Sequence, residues 1–186
     1  KKKRSANTYR PHKRRGVNRM KFILRSWQSS DIDSLIKYAH NAKIANYLTN
    51  AFSYPYTKES GEAFLQMACS QPEKFFAIDI DGEAIGSIGI FPQSDIHCLN
   101  AEIGYWLAEP FWGNGIITAA VRQIVDYGFR TFRLTRIFAR PFGSNKASQR
   151  VLQKADFQLE ARFEGALLKN GRIEDELIYA IRNIPK

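Results

Sequence analysis

The 186-residue chain is 44% hydrophobic and carries a net charge of +10, a size and composition typical of one globular domain with its own core. They exclude a membrane-spanning protein, because no stretch approaches the ~18 consecutive apolar residues that a transmembrane helix needs. Two cysteines without a metal-binding spacing and only three histidines predict neither a disulfide framework nor a metal site, and they favour a reducing, cytoplasmic setting.

The positive charge is concentrated at the amino-terminal end. Residues 1–19 hold nine basic and no acidic side chains, so residues 20–186 carry a net charge of only +1. Three interpretations of this basic tail are open: an arm that binds nucleic acid or the ribosome, an organelle-targeting peptide, or sequence upstream of a natural start at Met20. We expect residues 20–186 to form a single domain, and contact with nucleic acid or the ribosome only if the tail is native.

The sequence after the tail predicts a mixture of strands and helices. In chain order the predicted elements are a strand at 21–27, helices at 32–39 and 43–49, a helix from 58 to at least 67, strands at 74–80, 84–91 and 100–108, a helix at 115–130, a strand at 134–140, a helix at 145–155, and strands at 157–168 and 172–182. Ser29, Ser30 and Asp31 are candidate N-caps of the first helix, and Thr57 is one for the third.

The connections between these elements predict the fold class. Asp81-Gly82 and Asn170-Gly171 separate neighbouring strands and are strong signals for β-hairpins. The helix at 115–130 lies between two predicted strands and therefore forms a strand–helix–strand crossover. Hairpins combined with one such crossover predict an α+β fold with a mixed sheet, rather than a doubly wound parallel sheet.

The most informative segment is residues 105–118, with the sequence YWLAEPFWGNGIIT. A strand ends there, a turn with Gly113 and Gly115 follows, and a helix begins. Glycine permits positive φ and close approach of a ligand to the backbone, and the first amides of a helix are free to bind an anion. The segment therefore suits a diphosphate. A plain tight turn explains a G-x-G sequence equally well, and this one matches neither the dinucleotide fingerprint nor a P-loop.

Longer motifs around this segment resemble the GNAT acetyltransferases, in particular the branch that acts on ribosomal-protein amino termini. They are EIGYWL at 102–107, FWGNGIIT at 111–118, SNKAS at 144–148, VLQKADF at 151–157 and KNGRIEDELIY at 169–179. The resemblance covers about residues 21–182. It implies a three-layer GNAT fold, in which a mostly antiparallel sheet of about seven strands has a parallel, splayed pair at its fourth and fifth strands and helices on both faces. It also implies transfer of an acetyl group from acetyl-CoA to an amine, without a metal, by direct attack in a ternary complex.

The resemblance further implies which residues bind acetyl-CoA. Main-chain amides of residues 113–118 would hold its diphosphate, residues 106–108 would pair with the pantetheine arm and polarise the thioester carbonyl, and Asn145 would reach the pantetheine. Asn145 also has a structural interpretation as the N-cap of its helix. The implied cofactor-binding residues are Trp106, Leu107, Ala108, Trp112, Gly113, Asn114, Gly115, Ile116, Ile117, Thr118 and Asn145.

The sequence departs from the family pattern at positions that matter for catalysis. Trp112 replaces a glutamine or arginine, and Leu152 stands where many relatives carry a tyrosine that protonates the departing thiolate. Ser148 is therefore a candidate donor to the thiolate, although a hydroxyl near a helix start is often structural. Glu102 is a candidate general base, directly or through water, or else a cross-strand carboxylate.

The free energy of deprotonation favours one class of acceptor. A lysine amine, with a pKa of about 10.4, costs about 4.6 kcal/mol to deprotonate at neutral pH, whereas an α-amine at about 7.7–8.0 costs about 1–1.4 kcal/mol. A site without an obvious dedicated base therefore favours a protein amino terminus. Phe52, Tyr54 and Tyr56 are candidates for one wall of the acceptor site, or they line the core.

Other functions are compatible with the same sequence. The acceptor could be a small amine such as a polyamine or an aminoglycoside, because acceptor loops vary freely on one fold. A protein that binds acyl-CoA without catalysis, or one that associates with the ribosome through the tail, is a further alternative. A monomer and a homodimer are equally compatible with the sequence.

Overall fold

The computed structural model describes residues 20–183, so the basic tail at 1–19 lies outside the described residues. The strands are β1 (Ile23–Ser26), β2 (Phe75–Ile80), β3 (Glu83–Pro92), β4 (Asn100–Leu107), β5 (Arg136–Ala139), β6 (Gln158–Lys169) and β7 (Arg172–Arg182). The α-helices are α1 (Ile32–Ala39), α2 (Ala42–Ala45), α3 (Lys58–Ser70), α4 (Ile116–Thr131) and α5 (Lys146–Lys154). Short 3-10 helices at Ser29–Asp31 and Glu109–Phe111 precede α1 and α4.

Within residues 20–183 the strands form one seven-stranded sheet in the order β1-β2-β3-β4-β5-β7-β6. Neighbouring strands are antiparallel except for β4 and β5, which are parallel because the α4 crossover connects them. The predicted α+β class, the mixed sheet and its parallel pair are therefore confirmed. The order also makes β1 and β6 the two edges of the sheet.

Helices cover both faces of the sheet and form two separate cores. Buried side chains of α4 and α5, such as Ile124 and Leu152, pack with β3, β4, β5 and β7 on one face. On the other face, Leu35 of α1 and Leu65 of α3 pack with residues of β2 and β4. Among residues 20–183, no helix combines the length and the apolar character needed to cross a membrane.

The two predicted hairpin turns have the backbone that their sequences favour. Asp81 and Gly82 have φ values of 53° and 88°, and Asn170 and Gly171 have 51° and 74°. A type I′ turn needs positive φ at both central residues, which Asn and Asp tolerate and glycine adopts freely. These turns set the register of β2 with β3 and of β6 with β7.

The predicted cap of α3 is confirmed, whereas for α1 only the position of Asp31 as N-cap is correct. The hydroxyl of Thr57 accepts from the Ser60 N–H at 3.2 Å, as an N-cap does. Before α1, residues 29–31 form a 3-10 helix, and Asp31 occupies the N-cap position of α1 without a capping hydrogen bond to its side chain. Its carboxylate instead accepts from the Gln28 N–H at 2.9 Å and from an arginine of β1.

That arginine, Arg25, connects the start of the first helix to the sheet. Its guanidinium donates to Asp79 of β2 at 2.7 Å and to both carboxylate oxygens of Asp31 at 2.8 Å. Both aspartates are buried. The hydrogen bond to Asp31 is the main cause that holds the pKa of Arg25 above its ordinary value. One partly buried cation therefore bridges two buried carboxylates from different elements.

We expect Arg25→Ala to lower the free energy of unfolding by about 3–5 kcal/mol, because two buried carboxylates would lose their cation. Lys37→Ala is the matched control, since Lys37 pairs with Glu83 at 2.7 Å on the exposed surface. Its cost should stay below about 1 kcal/mol. Urea unfolding of both variants measures the difference, and equal losses would contradict the central role of Arg25.

Candidate functional site

The parallel strands β4 and β5 separate partway along their length. Their register pairs Asn100 with Arg136 and Glu102 with Phe138. Strand β4 continues to Leu107, whereas β5 ends at Ala139 and the chain then turns towards α5. The carboxyl-terminal part of β4 therefore borders an opening instead of a neighbouring strand.

Main-chain groups of β4 alternate between β3 and this opening. On the β3 side, the Ala108 N–H donates to Ile85 O at 2.8 Å. Because consecutive residues of a strand direct their main-chain groups to opposite sides, those of Ile103, Tyr105 and Leu107 face the opening. Among the three residues expected to contact the pantetheine arm, Leu107 thus borders the opening, and the Ala108 amide is engaged with β3.

Trp112 holds the turn that follows β4. Its indole Nε1–H donates to Leu107 O at 2.7 Å, which connects the turn to the strand end. The Asn114 side-chain amide donates to two main-chain oxygens of the same turn at 3.2 Å. Gly113 and Gly115 have φ values of 80° and 75°, a left-handed conformation in which other residues are strained. The sequence expectation of a glycine-dependent turn therefore agrees with the backbone.

Consecutive main-chain amides are free at this turn. The first amide of the region with an acceptor inside the helix is that of Ala119, which donates to Gly115 O at 3.1 Å. The amides of residues 113–118 donate to no acceptor within residues 20–183. A Cβ added at Gly113 or Gly115 would meet no atom within 4 Å, so the space in front of the turn is open. Such a group of amides at a helix start suits a diphosphate.

A pair of hydroxyls lies between β4 and α5. The Tyr105 hydroxyl and the Ser148 Oγ are 2.8 Å apart. The Ser148 N–H donates to Asn145 Oδ1 at 3.0 Å, so Asn145 is the N-cap of α5, while its contact with the cofactor stays a prediction. Burial is the main cause that raises the pKa of the Tyr105 phenol. Leu152, at the position of the missing tyrosine, is fully buried.

Sequence reasoning did not identify Tyr105 as a site residue. It lies two residues from Ile103 and from Leu107, so strand alternation alone would have put the three on one face of β4. The partner on α5 could not have been derived in the same way, because 43 residues separate Tyr105 from Ser148.

Glu102 is part of a charged cluster on the other face of β4. The Arg140 guanidinium donates to its two carboxylate oxygens at 3.0 and 2.8 Å and also lies 3.7 Å from Glu176 of β7. The hydrogen bond to Glu102 is the main cause that raises the pKa of Arg140. For Glu102 to take a proton directly, this ion pair would have to open. In residues 20–183, no group of three or more His, Cys, Asp or Glu side chains is arranged to hold a metal ion.

The three aromatic residues expected in the acceptor wall have different environments. The Phe52 ring lies 5.0 Å from that of Tyr56 and 6.0 Å from that of Trp106. Tyr56 and Trp106 are buried in the second core, and burial raises the pKa of Tyr56 to about 12. Tyr54 is exposed, with its ring 5.4 Å from the His40 imidazole. Tyr54 is therefore the one of the three whose side chain is mainly at the surface.

The tip of the β6–β7 hairpin contacts the loop after α2. Asn170 donates to Asn46 Oδ1 at 3.1 Å, and the Lys169 ammonium donates to Asn50 Oδ1 at 3.2 Å. These contacts were not foreseen from the sequence, since well over a hundred residues separate each pair. They connect the segment that holds Phe52 to the sheet edge beyond β5.

Comparisons with known proteins agree with this architecture. Residues 21–158 match the acetyltransferase (GNAT) domain family. The chain is 37% identical over 99 residues to the uncharacterized N-acetyltransferase YoaA of Bacillus subtilis (strain 168), a match that covers 53% of this chain and 55% of YoaA. It thus spans about half the length of that relative. It is also 23% identical to the spermidine N(1)-acetyltransferase of Escherichia coli (strain K12), over 83% of this chain and 82% of that protein.

Solved structures share the fold. RimJ of Mycobacterium smegmatis, in complex with CoA-disulfide, has a TM-score of 0.75 and 26% identity, over 87% of this chain and 81% of its own. The ribosomal-protein-S5-alanine acetyltransferase from Vibrio fischeri has a TM-score of 0.74 and 23% identity, over 87% of this chain and 93% of its own. The family match over most of the chain confirms the resemblance drawn from its motifs. The chain belongs to the GNAT acetyltransferase family, whose members use acetyl-CoA.

Proposed function

We propose that this protein is an N-acetyltransferase that moves the acetyl group of acetyl-CoA to the α-amine of a protein amino terminus, by direct attack in a ternary complex. The observation that carries the proposal is the row of free amides at residues 113–118, next to the exposed edge of β4. The diphosphate of acetyl-CoA suits the free amides, and its peptide-like pantetheine arm suits the exposed edge of β4.

Binding energy for the cofactor comes mainly from these amides. A hydrogen bond to a charged acceptor contributes roughly 1.5–3 kcal/mol, whereas the helix dipole contributes about 0.3–1 kcal/mol. Several amides directed at one diphosphate therefore outweigh the dipole. The CoA-disulfide complex of RimJ, which has the same fold, supports a CoA site in this chain.

The edge of β4 is suited to activate the thioester. Main-chain groups of Tyr105 and Leu107 face the opening, and the Leu107 carbonyl is already bonded to Trp112. The Leu107 N–H also faces the opening and is available to the thioester oxygen, where negative charge develops as the amine attacks. Preorganised amides at such a position are among the largest contributions to catalysis of acyl transfer.

The acceptor nitrogen attacks the carbonyl carbon, the carbon–sulfur bond breaks, and its electron pair remains on sulfur. In the proposed site Glu102, directly or through water, receives the proton that the nitrogen loses, and Ser148 stabilises the thiolate. The ion pair of Glu102 with Arg140 favours the route through water. An α-amine suits such a site, because it costs only about 1–1.4 kcal/mol to deprotonate at neutral pH.

The acceptor class has one competing candidate. The similarity to a spermidine N(1)-acetyltransferase supports a small polyamine, and the Glu102–Arg140–Glu176 cluster, with two carboxylates for one guanidinium, would attract a cation. The fold shared with an acetyltransferase of ribosomal protein S5 supports a protein amino terminus. The deprotonation energy favours the second.

Gly115→Trp tests the cofactor site. The side chain would enter the open space in front of the amides, so we expect the Kd for acetyl-CoA to rise by about 10–100-fold through loss of one or two charged hydrogen bonds. Gly82→Trp is the matched control, because Gly82 also has positive φ (88°) and no atom within 4 Å of an added Cβ, but lies in the β2–β3 turn. Calorimetric titration measures both, and equal affinities in the two variants would refute the assigned turn.

The pH dependence of turnover tests the acceptor class. With a peptide that has a free amino-terminal alanine or serine, kcat/KM should rise with pH, with a midpoint near about pH 8, and level off about one pH unit above it, because only the deprotonated α-amine attacks. The same peptide with a blocked amino terminus and a lysine should react slowly at neutral pH. Faster turnover of spermidine would favour the small-amine function, and CoA binding without turnover of any amine would favour a non-catalytic protein.

Glu102→Gln tests the proposed base. Loss of a general base typically lowers the rate by about 100–10,000-fold, so we expect a fall of that order in kcat with the KM for acetyl-CoA nearly unchanged. Glu83→Gln is the control, since Glu83 forms an ion pair with Lys37 on the surface of β3 and α1. If steady-state kinetics of the two variants are alike, Glu102 is a structural carboxylate.

A further inference from the structure

We propose that Tyr105 is a positioning residue that fixes the Ser148 hydroxyl so that its hydrogen points to the sulfur of CoA. The inference rests on the proposed acetyl transfer and adds a residue to it. Together the two hydroxyls would take the place of the tyrosine that is missing at position 152, where Leu152 is fully buried in the core.

The location of the Tyr105 and Ser148 hydroxyls is the first reason for this inference. Tyr105 belongs to the part of β4 that β5 no longer accompanies, and Ser148 lies in the first turn of α5, which follows β5. Their oxygens are 2.8 Å apart. The hydrogen bond therefore joins α5 to the part of β4 that borders the opening, two residues from Leu107, where the thioester would be held.

The direction of the hydrogen bond between Tyr105 and Ser148 is the second reason. A serine hydroxyl has one hydrogen and two acceptor lone pairs. The Ser148 amide is engaged with Asn145 Oδ1 at 3.0 Å, which fixes the backbone but leaves the hydroxyl free to rotate. If the phenol of Tyr105 donates to Ser148 Oγ, the single hydrogen of Ser148 is available for another acceptor. A phenol is the stronger donor of the two, so this direction is favoured.

The environment of Tyr105 keeps it a donor. Burial raises the pKa of its phenol, so it stays protonated at every pH at which the enzyme would work. For the same reason it does not give up its proton to the much less basic thiolate. When the carbon–sulfur bond breaks, the electron pair stays on sulfur and Ser148 donates a hydrogen bond to that anion. The proton that finally forms the thiol is balanced by the one that the attacking nitrogen loses.

The experiment titrates the thiol of CoA bound to the protein, following the ultraviolet absorbance of the thiolate. In the natural protein, a hydrogen bond from Ser148 should lower the thiol pKa relative to free CoA. Ser148→Ala should raise the pKa of the CoA thiol by about 1–2, the equivalent of one hydrogen bond to a charged group. Tyr105→Phe should raise it in the same direction, and should add nothing when Ser148 is already alanine. Ser148→Thr, which keeps the hydroxyl, should retain the low pKa.

Tyr127→Phe is the matched control, since its hydroxyl donates to the Glu73 carbonyl at 3.0 Å, away from the opening. It should leave the thiol pKa unchanged. The inference is overturned if Tyr105→Phe leaves the thiol pKa as in the natural protein, if its effect persists in full in the Ser148→Ala background, or if Ser148→Thr behaves like Ser148→Ala. Failure of the natural protein to bind CoA would instead refute the proposed function, so the two failures are distinguishable.

Discussion

The candidate site depends on a deficit of hydrogen-bond acceptors at the start of α4. Every α-helix begins with N–H groups that cannot be paired within the helix, and the turn before α4 adds those of Gly113 and Asn114 to them. Packing near the other end of α4 fixes the helix against the sheet. Gly128 lies so close to β3 that an added Cβ would be 2.4 Å from the Ile90 side chain. The helix is therefore held against the sheet, and its free amides have one fixed direction.

Trp112 links this deficit to the opening between the parallel strands. Once β5 diverges, Leu107 loses the neighbour that would have accepted and donated hydrogen bonds along β4. The indole of Trp112 supplies a donor to its carbonyl from the turn itself. The position of the proposed diphosphate site is thereby fixed relative to the strand edge, so a cofactor bound at one would be aligned with the other. A tryptophan in place of the usual glutamine or arginine is thus consistent with a working site.

Features set by neighbouring residues could be predicted from the sequence, and features set by distant ones could not. The two hairpins, the glycine turn and the Thr57 cap each follow from a few consecutive residues whose backbone preferences agree. Asp31 does not use its side chain to cap α1, because its carboxylate accepts instead from Gln28 and from Arg25, a contact between side chains that backbone preferences do not reveal. The Tyr105–Ser148 and Glu102–Arg140 contacts join residues 43 and 38 apart. The first contact brings α5 to β4, and the second brings the end of β5 to β4. Both arrangements exist only after the crossover has formed.

The ion pair of Glu102 bears on the acceptor class that we propose. The Glu102 carboxylate accepts two hydrogen bonds from one guanidinium, so a direct approach of the acceptor nitrogen to it would have to break these contacts. An amine that is almost entirely protonated at neutral pH would need that direct contact before it could attack. An α-amine is already neutral in a sizeable fraction of molecules, and the proton that it loses during the reaction can reach Glu102 through water. In the proposed mechanism, the contact that holds the Glu102 side chain in place therefore supports an acceptor amine of low pKa, such as a protein amino terminus.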